Sequence, residues 1–168
     1  MNLAISSKEF AFERAQARVF PSDWDSATNL SQGDPVLLSE PSELVDNRII
    51  SAAARQPGEF MLLLSELIVR RLHDDRRFDV PWFAAQFNLS DAEVQSGTAT
   101  VVLNPTGVFR VSIFDRTKRP LHRRQLVLYW GQMTIQLATD ENGVVFFLDN
   151  PTHFRIDTET PTIAIESL

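Results

Sequence analysis

Residues 58–75, GEFMLLLSELIVRRLHDD, contain the longest apolar stretch of the chain, and its interpretation decides the fold. Its apolar side chains recur near helical spacing; they are Phe60, Leu63, Leu64, Leu67 and Leu72, with Met61, Ile68 and Val69 widening the same face. Arg70, Arg71 and His73 follow in the last turns, where positive charge suits the helix dipole. The stretch therefore predicts a central core helix.

Further helix signals flank this stretch. Ser6 with Glu9, and Ser90 with Glu93, fit the S-x-x-E capping box that opens a helix. Gly97 is placed to end the second of these helices. Two more helical stretches are expected, at 42–55 and from Asp79 with Pro81 in its first turn. Residues 1–97 are thus predicted to be mainly helical.

The segment 22–43 interrupts the helical part. It is rich in Ser, Asp and Pro, which indicates a loop. Such a loop could wrap a partner and become ordered on binding. Trp24 is the residue there expected to anchor the partner, although it could equally tie the loop to its own core.

Residues 98–168 have the composition of a β-sheet. TATVVL and VFRVSIF are joined by NPTG, which predicts a hairpin over 98–114. RQLVLYWGQMTIQLA predicts one long strand bulged at Gly131, or two strands with a turn at Trp130–Gly131. Asn142–Gly143 indicates a hairpin turn before VVFFLD, and HFRID and TIAIE are expected as short edge strands.

The fold class predicted from these elements is α+β. We expect a single domain, 1–168, with N-terminal helices packed on one face of a C-terminal antiparallel sheet of about five or six strands. A chain of this length can bury a sizeable core without a metal or a disulfide.

Composition excludes several classes of function. The chain of 168 residues has no Cys, so disulfides, thiolate catalysis and Cys-ligated zinc are ruled out. The N-terminal residues show no basic region followed by a long apolar run, so we expect no secretory signal, and the apolar run at 58–75 is too short to span a membrane. We therefore expect a cytoplasmic protein with no membrane association and no cofactor. The net charge of −6 argues against broad attraction to nucleic acid.

Positive charge is nevertheless concentrated at 115–124, DRTKRPLHRR, which we call the basic loop. Its five cations are Arg116, Lys118, Arg119, Arg123 and Arg124, against one acid, Asp115. Three interpretations stay open: a solvated loop that protects a sheet edge, a phosphate or nucleic-acid contact, and a docking surface for an acidic protein.

A second motif lies at 83–95, FAAQFNLSDAEVQ. It resembles the helix-turn-helix of DNA-binding regulators, with Ala84–Ala85, Leu89–Ser90 and Val94 at the corresponding places. The resemblance implies a nucleic-acid-binding regulator that uses 80–97, with the hairpin 98–114 as a wing. The second helix carries Asp91 and Glu93 and no cation, which is unfavourable near phosphates.

No catalytic motif selects a reaction. The three histidines match no zinc spacing, and the glycines are too scattered for a phosphate-binding loop. A small hydrolase using carboxylates with His122 or His153 stays an alternative. The function we predict is a non-catalytic interaction module (an adaptor, an assembly chaperone or a complex subunit) that docks an acidic protein through the basic loop. A homodimer is a further alternative.

Overall fold

The computed structural model describes residues 1–22, 41–51, 54–130, 133–150, 154–156 and 162–168. Within these ranges the protein is nearly all-β, with one short helix. The described residues divide into two compact units, one ending at Asn104 and the other running from Pro105 to Leu168. The predicted α+β fold with N-terminal helices is therefore wrong. The prediction of a single domain over 1–168 stays a prediction.

The first unit is a curled half-barrel of seven strands in the order β6-β5-β2-β3-β4-β1-β7. Neighbouring strands are antiparallel except β1 and β7, which are parallel. The elements are β1 (Asn2–Ser6), β2 (Phe10–Pro21), β3 (Ser42–Val45), β4 (Arg48–Ile50), β5 (Gly58–Arg71), β6 (Arg77–Leu89), α1 (Asp91–Ser96) and β7 (Thr98–Val102).

The stretch predicted as the central helix is strand β5, which lies between β6 and β2. Its buried residues alternate except at Leu63, which is also buried, and the alternation changes phase at Glu66. The alternating buried set is Phe60, Leu62 and Leu64 before Glu66, and Leu67, Val69 and Arg71 after it. Glu66 is exposed and has a φ of 52°, in the left-handed region. One extra residue at this bulge keeps both halves of β5 facing the core.

Strand β2 changes phase beside the same place. Its buried residues are Phe10 and Phe12, then Ala15, Ala17, Val19 and Phe20. The β2–β5 register shifts between Phe12 and Arg14 and again between Arg14 and Gln16. The predicted helix opened by Ser6 and Glu9 is therefore an irregular strand, and Glu9 precedes it.

The predicted helix at 42–55 is instead a hairpin over its described first part. Strands β3 and β4 pair antiparallel around Asp46 and Asn47, whose φ angles are 48° and 62°. Two consecutive positive φ values define the tight turn that suits the twist of paired strands. The Asn47 side chain also accepts a hydrogen bond from the Phe12 amide at 2.7 Å, which attaches the turn to β2.

The single described helix, α1, is the one predicted at 91–96. Ser90 caps it, the Ser90 and Glu93 side chains form the reciprocal capping box, and Gly97 ends it with a φ of 72°. No described helix is long and apolar enough to cross a membrane.

The second unit has two three-stranded antiparallel sheets, β10-β9-β12 and β11-β8-β13, rather than one sheet of five or six strands. Its buried side chains include Val111, Ile113, Leu126, Val144 and Phe147. The strands are β8 (Phe109–Phe114), β9 (Gln125–Trp130), β10 (Met133–Ala138), β11 (Val144–Phe147), β12 (Phe154–Ile156) and β13 (Thr162–Ser167).

The local strand predictions hold in this unit, but their pairings differ. The predicted hairpin 98–114 is wrong, because β7 pairs with β1 while β8 pairs with β11 and β13. The turn ending at Gly143 likewise joins strands that pair elsewhere. The stretch 125–138 forms two strands that pair with each other, with Trp130 opposite Met133. This agrees with the predicted alternative of two strands joined by a turn, and residues 131–132 lie outside the described ranges. HFRID and TIAIE contain β12 and β13, which lie at sheet edges.

Candidate functional site

The basic loop is an ordered pair of turns between β8 and β9. In the first turn the Asp115 carboxylate accepts hydrogen bonds from the Thr117 amide at 2.7 Å, the Thr117 hydroxyl at 2.7 Å and the Arg119 amide at 2.9 Å. The Asp115 amide donates in return to the Arg119 carbonyl at 2.9 Å. An Asp side chain that caps its own following backbone fixes a turn in this way.

The second half of the loop is attached to β8 and to Thr139, the residue that follows β10. The Leu121 amide donates to the Ile113 carbonyl at 2.9 Å, and the Thr139 hydroxyl donates to the Leu121 carbonyl at 2.6 Å. The same hydroxyl accepts from the Arg124 amide at 2.7 Å, and Thr139 is buried. The loop backbone is therefore bonded to its surroundings at both ends.

Gly143 provides the space beneath the loop. Its φ is 73°, and a Cβ there would lie 3.0 Å from the Leu121 nitrogen, 3.1 Å from the Ile113 oxygen and 3.1 Å from the Pro120 Cβ. Two of these neighbours are backbone atoms, so they cannot rotate away. Only glycine combines this backbone conformation with so close an approach.

All five predicted cations are on this bonded loop. Arg116, Lys118, Arg119 and Arg123 are exposed, and Arg124 is half-buried. Arg123 lies 3.5 Å from the Glu141 carboxylate, a pair whose side chains are 78% and 82% exposed and which is therefore worth little. The φ angles of Lys118 and Arg123 are 63° and 47°.

Asp115 is the only acid within the loop, and its charge holds the turn. The hydrogen bond from the Arg119 amide, followed by that from the Thr117 hydroxyl, lowers the pKa of Asp115 below its usual value. The carboxylate therefore stays ionised at neutral pH and keeps its backbone bonds. The cationic side chains project from a backbone that this one acid organises.

The other predicted functional residues do not join this site. Trp24 and most of the segment 22–43 lie outside the described residues. The first helix of the helix-turn-helix resemblance does not form, because 77–89 is strand β6. Helix α1 has Asp91 and Glu93 in its first turn and no cation in its last. The predicted wing is not a hairpin either, so the resemblance does not extend to the structure.

The histidines form no described catalytic cluster. His122 contacts the Glu141 carbonyl through Nδ1, and His73 lies 3.8 Å from Asp74 with its side chain 71% exposed. His153 falls outside the described residues. Over the part of the chain that the structure describes, no group of three His, Cys, Asp or Glu side chains could hold a metal ion.

An ion-pair network at the β5–β6 turn is the feature that the sequence patterns did not indicate. Arg70 binds Glu13 at 2.9 Å and Asp75 at 2.6 Å, and Arg77 also reaches Glu13 at 2.9 Å. Nearby, the buried Arg71 donates through Nε to Asp74 at 3.0 Å and lies over the Phe78 ring. These charges do not act on a helix dipole; they close the turn between two strands and attach it to β2.

Asp74 makes the stability of this turn sensitive to acid. The hydrogen bond from Arg71 lowers the pKa of Asp74 from 3.8 to about 2. A lowered carboxyl pKa stabilises the fold above the unfolded value, and this stabilisation is lost as the pH falls toward about 2. We expect Asp74→Asn to be less stable than the wild type at neutral pH in urea denaturation, and this difference to shrink on acidification. If the difference in unfolding free energy between the two proteins stayed constant on acidification, Asp74 would not be the source of the acid sensitivity.

Comparisons with protein-family models, with characterised proteins and with solved structures return no match for this chain.

Proposed function

We propose that this protein is a non-catalytic interaction module, an adaptor, assembly chaperone or complex subunit, that receives an acidic segment of a protein partner on the basic loop. The observation that supports this most is the bonding of the loop. Five cations stand on a backbone held by Asp115, Ile113 and Thr139, whereas a merely solvated loop needs no such bonds.

A fixed loop lowers the entropy that binding must cost. Ordering a mobile loop at an interface costs roughly 0.5–1.5 kcal/mol for each immobilised side chain, in addition to the backbone term. In this loop the backbone is already ordered by internal hydrogen bonds, so binding does not have to order it. The cations then need only settle their side chains on the carboxylates of the partner.

The acidic charge of the rest of the chain helps to orient an acidic partner toward the basic loop. The chain carries a net charge of −6, so its overall charge repels an acidic partner while the basic loop attracts one. Complementary potentials of this kind raise the association rate and select the docking orientation more than they raise affinity. The proposed partner is therefore a protein segment with several Asp or Glu side chains.

The test compares two charge reversals of equal size, Arg119→Glu in the loop and Lys8→Glu outside it, both at exposed side chains. The probe is a fluorescein-labelled peptide of roughly ten residues that alternates Glu with Ser, followed by fluorescence anisotropy. We expect Arg119→Glu to weaken binding at least about fivefold, and Lys8→Glu to change it by less than about twofold.

Two outcomes would contradict the proposal. Equal weakening by both variants would show that only net charge matters. Tighter binding of a duplex DNA of matched charge, lost with Arg119→Glu, would show a nucleic-acid surface instead. A pull-down from native lysate with and without nuclease, using Arg123→Glu with Arg124→Glu beside the wild type, applies the same distinction to natural partners.

A further inference from the structure

The outer face of β4, β1 and β7 forms an open groove of about 610 Å³ in the first unit. The strand register sets its polar and apolar side chains in two rows across the three strands; the rows are Ile50, Asn2 and Thr98, then Arg48, Ala4 and Thr100. The volume lies within the range of about 300–1,000 Å³ that is usual for small-molecule sites. The groove is thus large enough for a ligand of several residues.

Exposed apolar side chains are concentrated on this face. Ile50 is 74% exposed, Val45 beside Arg48 is 51% exposed, and Val102 beside Ser6 is 58% exposed. The described part of the chain exposes only two other large hydrophobic side chains to a comparable degree, Leu72 and Ile165. Grouped apolar exposure of this kind marks binding surfaces, whereas scattered single residues do not.

Opposite charges line the two sides of the groove. Arg48 is on β4, is exposed, and makes no ion pair or side-chain hydrogen bond with the described residues. Glu93 is on α1, which leads into β7, and its Oε2 accepts from the Ser90 amide at 2.8 Å and the Ser90 hydroxyl at 2.7 Å. The hydrogen bond from the Ser90 amide lowers the pKa of Glu93 most, and the bond from the Ser90 hydroxyl lowers it further. Glu93 is therefore anionic at neutral pH.

The width of the groove fits a short extended peptide. Strands β4 and β7 are separated by β1, so they lie two strand spacings, or about 9–10 Å, apart. An extended peptide advances about 3.3–3.6 Å per residue, so about three residues span that distance. The Thr98 and Thr100 hydroxyls and the Asn2 amide also line the groove and offer donors and acceptors for peptide groups.

We propose that this groove binds a short zwitterionic peptide of about three residues. Its carboxylate pairs with Arg48, its ammonium pairs with Glu93, and a central apolar side chain contacts Ile50. This binding activity is separate from the basic loop, and it needs no part of the function proposed for that loop.

The test titrates the full ¹⁵N-labelled chain with the tripeptide Ala-Leu-Ala, with its N-acetylated form and with its C-amidated form. Amide chemical shifts are followed to about 10 mM, because small exposed sites bind weakly. We expect saturable shifts at Asn2, Thr98 and Thr100. Each cap removes one charged partner, and we expect either cap to weaken binding about threefold to tenfold.

Matched variants assign each cap to its residue. In Arg48→Gln, amidation should no longer change the affinity; in Glu93→Gln, acetylation should no longer change it. Glutamine at position 93 can still form the capping box with Ser90, so we expect α1 to stay folded in Glu93→Gln. The proposal is overturned if no saturable shifts occur, if they map away from the groove, or if the cap effects persist in both variants. If either variant fails to fold, the comparison of free and capped peptides on the wild type still tests the proposal.

Discussion

Deletion of Glu66 is expected to prevent folding. The residue lies at the bulge in β5, and its removal shifts residues 67–71 by one position against β6, whose pairing with β5 keeps a single register from Gly58↔Leu89 to Arg70↔Arg77. Leu67 and Val69 would then lie opposite Pro81 and Asp79 instead of Val80 and Phe78. The buried side chains of the two strands would no longer share one face of the sheet. Exposing such a buried side chain costs about 1.5–3 kcal/mol, and several losses together approach the ~5–15 kcal/mol that stabilises a domain. We expect insoluble protein, or soluble protein without a cooperative unfolding transition.

The substitution Glu66→Gly is the matched control, because it keeps the residue count and removes only the side chain. At a φ of 52° a Cβ is unfavourable, so glycine is expected to be neutral or to stabilise by up to ~1 kcal/mol. Thermal unfolding of both proteins distinguishes the register of the strand from the chemistry of the side chain. A deletion variant with the unfolding temperature of the wild type would show that β6 can absorb the register shift.

The same bulge explains why the sequence predicted a helix here. Phe60, Leu64 and Leu67 are spaced by four and then three residues, which is the spacing of one helix face. In the strand, the phase change at Glu66 produces that spacing from period-two alternation. β2 behaves alike, since Phe12, Ala15 and Val19 are spaced by three and four. Periodicity alone cannot separate a bulged strand from a helix.

Local chemistry was a better guide than periodicity. The capping box at Ser90 and Glu93 and the stop at Gly97 were predictable, because each depends on side chains within a few residues. Asp46–Asn47 is another such signal that could have shown the β3–β4 turn. Strand pairing was not predictable in the same way. Strand β7 pairs with β1, about a hundred residues away in sequence, and no local pattern encodes that choice.

The two candidate sites differ in the same respect. The basic loop is continuous in sequence, so its cations could be named in advance, and the Asp115-x-Thr117 pattern could also have indicated the turn. The groove with Arg48 and Glu93 is assembled from β1, β4, α1 and β7. Its members become neighbours only through non-local pairing. A single sequence therefore identifies the first site and not the second.

Gly143→Ala is expected to destabilise the second unit and release the basic loop. The left-handed backbone costs a non-glycine residue about 1–2 kcal/mol, and forcing a methyl group against close neighbours costs about 1–3 kcal/mol more. The added Cβ would push on Leu121 and Ile113, whose mutual hydrogen bond fixes the loop. We therefore expect a loss of about 2–5 kcal/mol in the free energy of unfolding, with faster amide exchange at Leu121 and Arg123.

Gly97→Ala separates the two causes. Its φ is 72°, nearly that of Gly143, but a Cβ at Gly97 meets no atom within 4 Å. It should therefore carry the backbone cost of about 1–2 kcal/mol alone. Urea denaturation with hydrogen exchange compares the two variants. A larger loss at Gly143, with weaker binding of the acidic peptide, would show that the position of the loop and its docking role depend on the same contact. Equal losses, with amide exchange in the loop unchanged, would show that the loop does not rest on Gly143.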